Sequence, residues 1–271
     1  MNRHLKELNH LMHVVKKLRD PINGCPWDIA QDFESIAPYT IEEAYEVADA
    51  IQTGNRQEIR NELGDLLLQV IFHSQIAKEE GSFDLADVAR KVTEKMIERH
   101  PNVFDNAGRP SASEQKLIWE QKKAEERKRK GQTKVLDGIA LGLPPLIRAM
   151  KLQKRAATVG FDWPSLEQVF QKLTEEAEEL AVELQKNNQD RVKVEEEVGD
   201  LLFVAVNLAR KANIDPEIAL QRCNKKFEKR FNYVEEQVKL NYESFSNTSL
   251  EKMESYWNEA KSLEYLDKSL E

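Results

Sequence analysis

Apolar residues recur at steps of three and four along nearly the whole chain, the period of an α-helix seen from one side. Leu5, Leu8, Leu11, Met12, Val15 and Leu18 set the rhythm among charged residues at the start. Asn23-Gly24-Cys25-Pro26-Trp27-Asp28 then interrupts it as a loop. The pattern predicts a helix over about 39–52, ended at Thr53-Gly54-Asn55, where Gly54 suits a left-handed cap. A second helix carries Ile59, Leu63, Leu66, Leu67, Val70 and Ile71 towards Gly81, and a third starts near Asp84 and stops before Pro101. A polar loop is expected around 105–113, followed by a highly charged helix over about 114–130.

The stretch 131–142 reads as the boundary between two halves, 1–130 and 131–271. Pro144 and Pro145 open a helix that runs to Thr158, and Gly160-Phe161-Asp162-Trp163 echoes the earlier Gly-to-Trp-Asp loop. Two further helices follow. One has the stripe Phe170, Leu173, Ala177, Leu180 and Leu184; the other has Val194, Val198, Leu201, Leu202, Ala205 and Leu208. Lys186, Asn187 and Asn188 signal the turn between them. Asp215 and Pro216 read as a cap and first-turn pair for a long helix. Thr248 and Glu251 have capping-box spacing for a last one. The expected fold class is therefore all-α, in two tandem helical bundles.

Self-similarity sharpens this picture. Glu42, Glu43, Ala44, Tyr45, Glu46 lead on to Glu62, Leu63, Gly64, Asp65, Leu66, Leu67. Glu175, Glu176, Ala177, Glu178, Glu179 lead in the same order to Glu197, Val198, Gly199, Asp200, Leu201, Leu202. Residues three or four apart share a helix face, so Glu176 and Glu179 are neighbours, as are Glu197 and Asp200. If the two helices pack antiparallel, their acids converge. Converging carboxylates repel and raise one another's pKa, and a hard divalent cation relieves that repulsion. Mid-helix Gly64 and Gly199 cost about 1 kcal/mol each relative to alanine, which suggests a close approach to the backbone there. The bland alternative, a solvated acidic face, fits either Glu run alone far better than it fits the duplicated pattern.

The repeat extends past the acids. Lys95 and Arg99 match Lys226 and Arg230, and Trp119 and Lys123 match Trp257 and Lys261. Such cations suit a ligand that brings phosphates, and the aromatics suit stacking on a base. Surface ion pairs and core packing are the competing explanations for each residue taken singly.

Composition adds limits. The 271 residues include 10 glycines and 9 prolines, sparse punctuation for a chain rich in helix formers. A net charge of −8 argues against stable nucleic-acid binding. Cys25 and Cys223 make neither a disulfide framework nor a zinc site; they read as reduced thiols of a cytoplasmic protein. No apolar run reaches membrane length, and the amphipathic start is not expected to be a signal peptide.

Gly24-Cys25-Pro26-Trp27-Asp28, the paired Glu-Glu-x-x-Glu and Glu-x-x-Asp motifs, His100-Pro101-Asn102-Val103-Phe104 and Gly160-Phe161-Asp162-Trp163 together resemble the bacterial MazG nucleoside triphosphate pyrophosphohydrolases. These belong to the all-α NTP pyrophosphatases, with the dimeric dUTPases and phosphoribosyl-ATP pyrophosphatase. The resemblance covers nearly the whole chain and has the two-copy arrangement. It implies cleavage of nucleoside triphosphates between the α- and β-phosphates, dependent on Mg²⁺ with Mn²⁺ as a substitute, by an intertwined homodimer. By motif match it implies metal ligands Glu176, Glu179, Glu197 and Asp200. Nucleotide contacts would come from Lys172, Glu175, Lys193, Glu196, Lys226, Arg230 and Trp257, with Lys261 as a further one. It also makes the second copy, 131–271, the main catalytic one. The first copy keeps Glu43, Glu46, Glu62 and Asp65, a possible second metal site, with Lys95, Arg99, Trp119 and Lys123 as its ligand contacts. It departs from the family at 31–35, where a Thr-His pair is usual. Glu175, beside a ligand without being one, is the candidate general base.

Two rivals fit parts of the sequence. A di-iron bundle would need Glu-x-x-His, and here aspartate stands in the histidine position. A non-catalytic helical scaffold for nucleotides or partner proteins would release no pyrophosphate.

Overall fold

In the computed structural model, residues 3–104, 108, 110–129, 131–242 and 244–268 are described. They form twelve α-helices and one 3-10 turn, with no strand among the described residues, as the periodicity predicts. The chain divides into two compact units, Met1–Ala124 and Glu125–Glu271.

The first unit opens with α1 (Arg3–Leu18), the one-turn α2 (Pro26–Ile29) and α3 (Phe33–Thr53). Helix α3 starts six residues earlier than the apolar pattern alone predicts. Asp32 and Ser35 make a capping box there, and Pro38 sits inside the helix rather than before it. Gly54 ends α3 at φ 74°, the left-handed conformation that glycine adopts without steric cost. Asn55 then caps α4 (Arg56–Glu79), accepting from the N–H groups of Gln57 and Glu58. A two-residue link makes α3 and α4 an antiparallel hairpin, and it is the most extensive packing in this unit. Helix α5 (Leu85–Arg99) packs on α4, and α6 (Pro101–Phe104) and α7 (Ala112–Arg129) follow. Positions 105–107, 109 and 130 of the expected loop and helix lie outside the described residues.

Val15, Ile36, Ile71, Phe72 and Ile76 form the core of this unit, with Leu8, Leu11 and Leu68 against it. Arg19 closes one end. Its buried guanidinium binds Glu79 at 2.7 Å and donates to the carbonyls of Asp28 and Gln31. One side chain therefore ties α1, the Trp-Asp loop and the end of α4 together.

The second unit repeats the plan. Helix α8 (Pro145–Ala157) lies against α10 and α11, and α9 (Leu166–Gln185) and α10 (Arg191–Lys211) form the second hairpin. Helices α11 (Pro216–Tyr242) and α12 (Leu250–Lys268) pair beside it, their contact centred on Val234, Val238 and Tyr256. Asp215 caps α11 as predicted, accepting from the N–H groups of Glu217 and Ile218. The cap of α12 is Ser249 rather than Thr248. The Ser249 hydroxyl accepts from the N–H of Lys252, while buried Thr248 donates back to the carbonyl of Ser244. Thr248 is thus used to close the preceding turn, which shifts the cap by one residue. At Arg210 and Lys211 the end of α10 is tied to the Asp162-Trp163 loop.

Packing inside one chain accounts for only part of two expectations. A Cβ placed on Gly64 or Gly199 would meet nothing within 4 Å, so no backbone approach inside one chain explains either glycine. The predicted stripes are only partly covered inside one chain: Leu173, Leu180, Val194, Leu201 and Leu208 are half-buried, Phe170, Leu184, Val198 and Leu202 face out, and the buried positions are Val169, Val204, Val206 and Asn207.

Candidate metal and nucleotide site

The α9–α10 hairpin brings the second set of acids together. Ligand-capable atoms of Glu176, Glu179 and Glu197 all lie within 4.8 Å of one another. Asp200 stands close enough that its charge helps raise the Glu197 pKa; burial is the leading cause, with Glu179, Glu176 and Glu183 also contributing. Glu176 is 4% exposed, and its Oε2 has no hydrogen-bond partner among the described residues. An enclosed carboxylate oxygen without a donor is costly. A cation bound among these oxygens satisfies it, so the donor set fits a hard, oxygen-seeking divalent ion.

Lys172 supplies positive charge at the rim, 2.7 Å from both Glu175 and Glu176. These two bonds, to Glu175 and then Glu176, raise the lysine's pKa well above its ordinary value. Glu175 itself is exposed.

The first hairpin builds a parallel group from Glu43, Glu62 and Asp65. Burial first, and then neighbouring acids including Asp65 and Glu46, raises the pKa of Glu43. Glu62 is raised likewise, by burial and then by Glu46 and Asp65. Glu46 therefore stands next to the group without joining its closest triad.

The nucleotide-contact candidates fall into two sets. Arg230 pairs with Glu264 at 2.8 Å, and its guanidinium lies 5.6 Å from the centre of the Trp257 ring. Trp257 also packs against Phe227 at 5.2 Å. The structure thus joins Arg230 and Trp257 on α11 and α12, in a contact that serves helix packing by itself. Lys193, Glu196 and Lys226 are exposed, and Lys261 is half-buried. In the first unit Lys123 lies 4.8 Å from the Trp119 ring centre, and His100 lies against the same ring. Lys95 is half-buried on α5, where the Arg99 carbonyl accepts from Gln115.

Sequence reasoning passed over Glu183. It lies four residues after Glu179 and seven after Glu176, one helical face, and that spacing was the available signal. Also passed over was a cavity of about 540 Å³ in the second unit, with Gln153, Phe161, Trp163, Phe203 and Asn207 among its walls.

No helix among the described residues is long and apolar enough to cross a membrane. The chain matches the MazG nucleotide pyrophosphohydrolase domain twice, over residues 31–104 and 165–235. It is similar to the nucleoside triphosphate pyrophosphohydrolase of Escherichia coli K12, with 47% identity over 257 residues, 95% of this chain and 98% of that protein. The nucleoside triphosphate pyrophosphohydrolase/pyrophosphatase MazG of Thermotoga maritima is 43% identical over 93% of this chain and 94% of its own length. An uncharacterized Bacillus subtilis protein, YabN, is 41% identical over 95% of this chain and 52% of its own. Two acid-bearing hairpins, two domain matches and relatives aligned nearly end to end agree: the chain belongs to the MazG nucleotide pyrophosphohydrolase family.

Proposed function

We propose that the second unit is the main catalytic site of this nucleoside triphosphate pyrophosphohydrolase, and that it releases a nucleoside monophosphate and pyrophosphate. The observation that carries the reading is the enclosed, partnerless Oε2 of Glu176 among converging acids. Glu176, Glu179, Glu197 and Asp200 would hold the metal, magnesium by preference with manganese as a substitute. When bound, it supplies positive charge that offsets charge on the substrate's phosphates.

The chain's own groups do the rest. Glu175, exposed beside Glu176, accepts the proton of the water that attacks the α-phosphorus. Lys172, already at the rim of the acids, exchanges its carboxylate partners for phosphate oxygens. Lys226 and Arg230 stabilise phosphate charge as preorganised cations, joined by Lys193 and Lys261, and Glu196 contacts the nucleotide from α10. The first unit, with Glu43, Glu46, Glu62 and Asp65, contributes less to turnover.

The working form in this reading is a cytoplasmic homodimer. Exposed Phe170, Val182, Leu184, Val198 and Leu202 on α9 and α10 support it, since a patch of that kind is normally covered.

Substitutions that remove one negative charge and keep shape test the assignment. Glu176→Gln or Asp200→Asn should lower NTP turnover about a hundredfold or more, the scale of losing one preorganised charge contact. Glu43→Gln or Asp65→Asn should leave most of it. Full loss from the first-unit changes alone would place the site in the wrong half. Release of free phosphate and nucleoside diphosphate, rather than pyrophosphate, would refute attack at the α-phosphorus.

A further inference from the structure

One acid near the second group stands outside its closest triad. Glu183 follows Glu179 by four residues and Glu176 by seven, so the three share a face of α9. Helix side chains lean towards the N-terminus, which tilts Glu183 back over the turn that carries Glu179. At 1.5 Å per residue, Glu179 is about 6 Å away along the axis. Burial first, and then the charges of Glu179, Glu176, Asp200 and Glu183, raises the Glu197 pKa, so Glu183 lies within electrostatic reach of the group.

Its two oxygens have different surroundings. Oε1 accepts from Lys186, the residue that caps the end of α9. Oε2 is enclosed and has no partner among the described residues, and the side chain as a whole is 14% exposed. An ordinary surface ion pair would leave both oxygens in water. Here one is enclosed, like charges stand near it, and the last turn of a helix disfavours an acid. A hydrogen-bond donor carried on a cation would offset those costs.

The first unit has no counterpart. Counting four residues from Glu46 gives Ala50, 4% exposed, whose methyl group accepts no hydrogen bond. The two acid groups therefore differ at this position although their motifs match.

We propose that Glu183 is a positioning residue for the second-unit cation: its enclosed Oε2 accepts a hydrogen bond from a water on the ion, and Lys186 holds the carboxylate in place for it. Magnesium usually keeps several waters in protein sites, and groups behind the ligands tune its affinity. Ala50 leaves the first-unit group without this support. The proposal rests on the second-unit acids holding a divalent ion, as proposed above.

Calorimetric titration with Mn²⁺ tests it on the full chain carrying Glu43→Gln and Asp65→Asn, so that only the second group is read. Glu183→Gln keeps the size of the side chain and leaves its carbonyl oxygen to Lys186, so an amide NH₂ group, a donor, replaces Oε2. It should weaken Mn²⁺ about tenfold or more, the scale of losing a group behind the metal ligands. The urea midpoint in EDTA should stay where it was, which a merely structural ion pair would not allow. Glu183→Ala should weaken Mn²⁺ as much. Line broadening of bound Mn²⁺ in ¹⁷O-water should count the same number of coordinated waters before and after either change. Affinity within about twofold of the reference in both folded variants overturns the proposal and leaves Glu183 an ion pair of the helix end. One additional coordinated water in the variants also overturns it, because Glu183 would then be a ligand. If the reference protein binds no Mn²⁺ at the second group, the metal assignment itself falls, and this proposal with it.

Discussion

Asp162 shows how one residue's surroundings decide its charge. Burial alone would raise its pKa, but Arg210 and Lys211 outweigh that and hold the carboxyl below its ordinary 3.8. A depressed carboxylate pKa means stability that is present above 3.8 and lost as pH falls through the folded value. Asp162→Asn should therefore cost about 2 kcal/mol at neutral pH, as for a lost charged hydrogen bond. The gap between the two proteins should close in strong acid, and urea melts across a pH series measure both. Glu197, on α10, behaves in the opposite sense: burial first, and then the neighbouring acids of α9 and α10, raises its pKa. Their convergence was legible because carboxylate spacing on a helix is local. Asn207 and Gln153 were not, since each is one amide among many until tertiary packing buries it.

At the scale of helices, ends were easier to read than faces. Gly54 and Asp215 announce their caps by residue type, because few side chains adopt a left-handed backbone or accept two helix N–H groups. Asp215→Ala should destabilise the second unit by about 1 kcal/mol, measurable in urea. Helix α3 is the instructive miss: a capping box at Asp32 and Ser35 outweighs the breaker Pro38, so the helix runs through it. The faces misled for another reason. Phe170, Val198 and Leu202 repeat at helical spacing like core residues, yet one chain leaves them exposed. Periodicity records that a face is apolar and says nothing about which molecule covers it. A single mass near 31.4 kDa in analytical ultracentrifugation at micromolar concentration would contradict the proposed pairing; about twice that is expected.

For the whole molecule, the acid groups make stability depend on what is bound. Addition of Mg²⁺ or Mn²⁺ at about a hundred times its dissociation constant should stabilise the fold by about 2.7 kcal/mol. Calorimetric melting with and without EDTA reads this, and Glu176→Gln should shrink the shift. The two units also solve one joint in opposite ways. In the first, the cation Arg19 ends α1 and its anion Glu79 ends the hairpin. In the second, the cations Arg210 and Lys211 end the hairpin and the anion Asp162 sits in the loop. The duplicated halves have therefore ceased to be interchangeable parts. Grafting the opening segment 3–32 onto the second hairpin would bring Arg19 without Glu79 and leave Arg210 and Lys211 without Asp162. Grafting 145–165 onto the first would leave Glu79 without Arg19 and bring Asp162 without its two cations. Each half has become the private partner of its own lead-in, and recombination between the two copies is penalised at that joint.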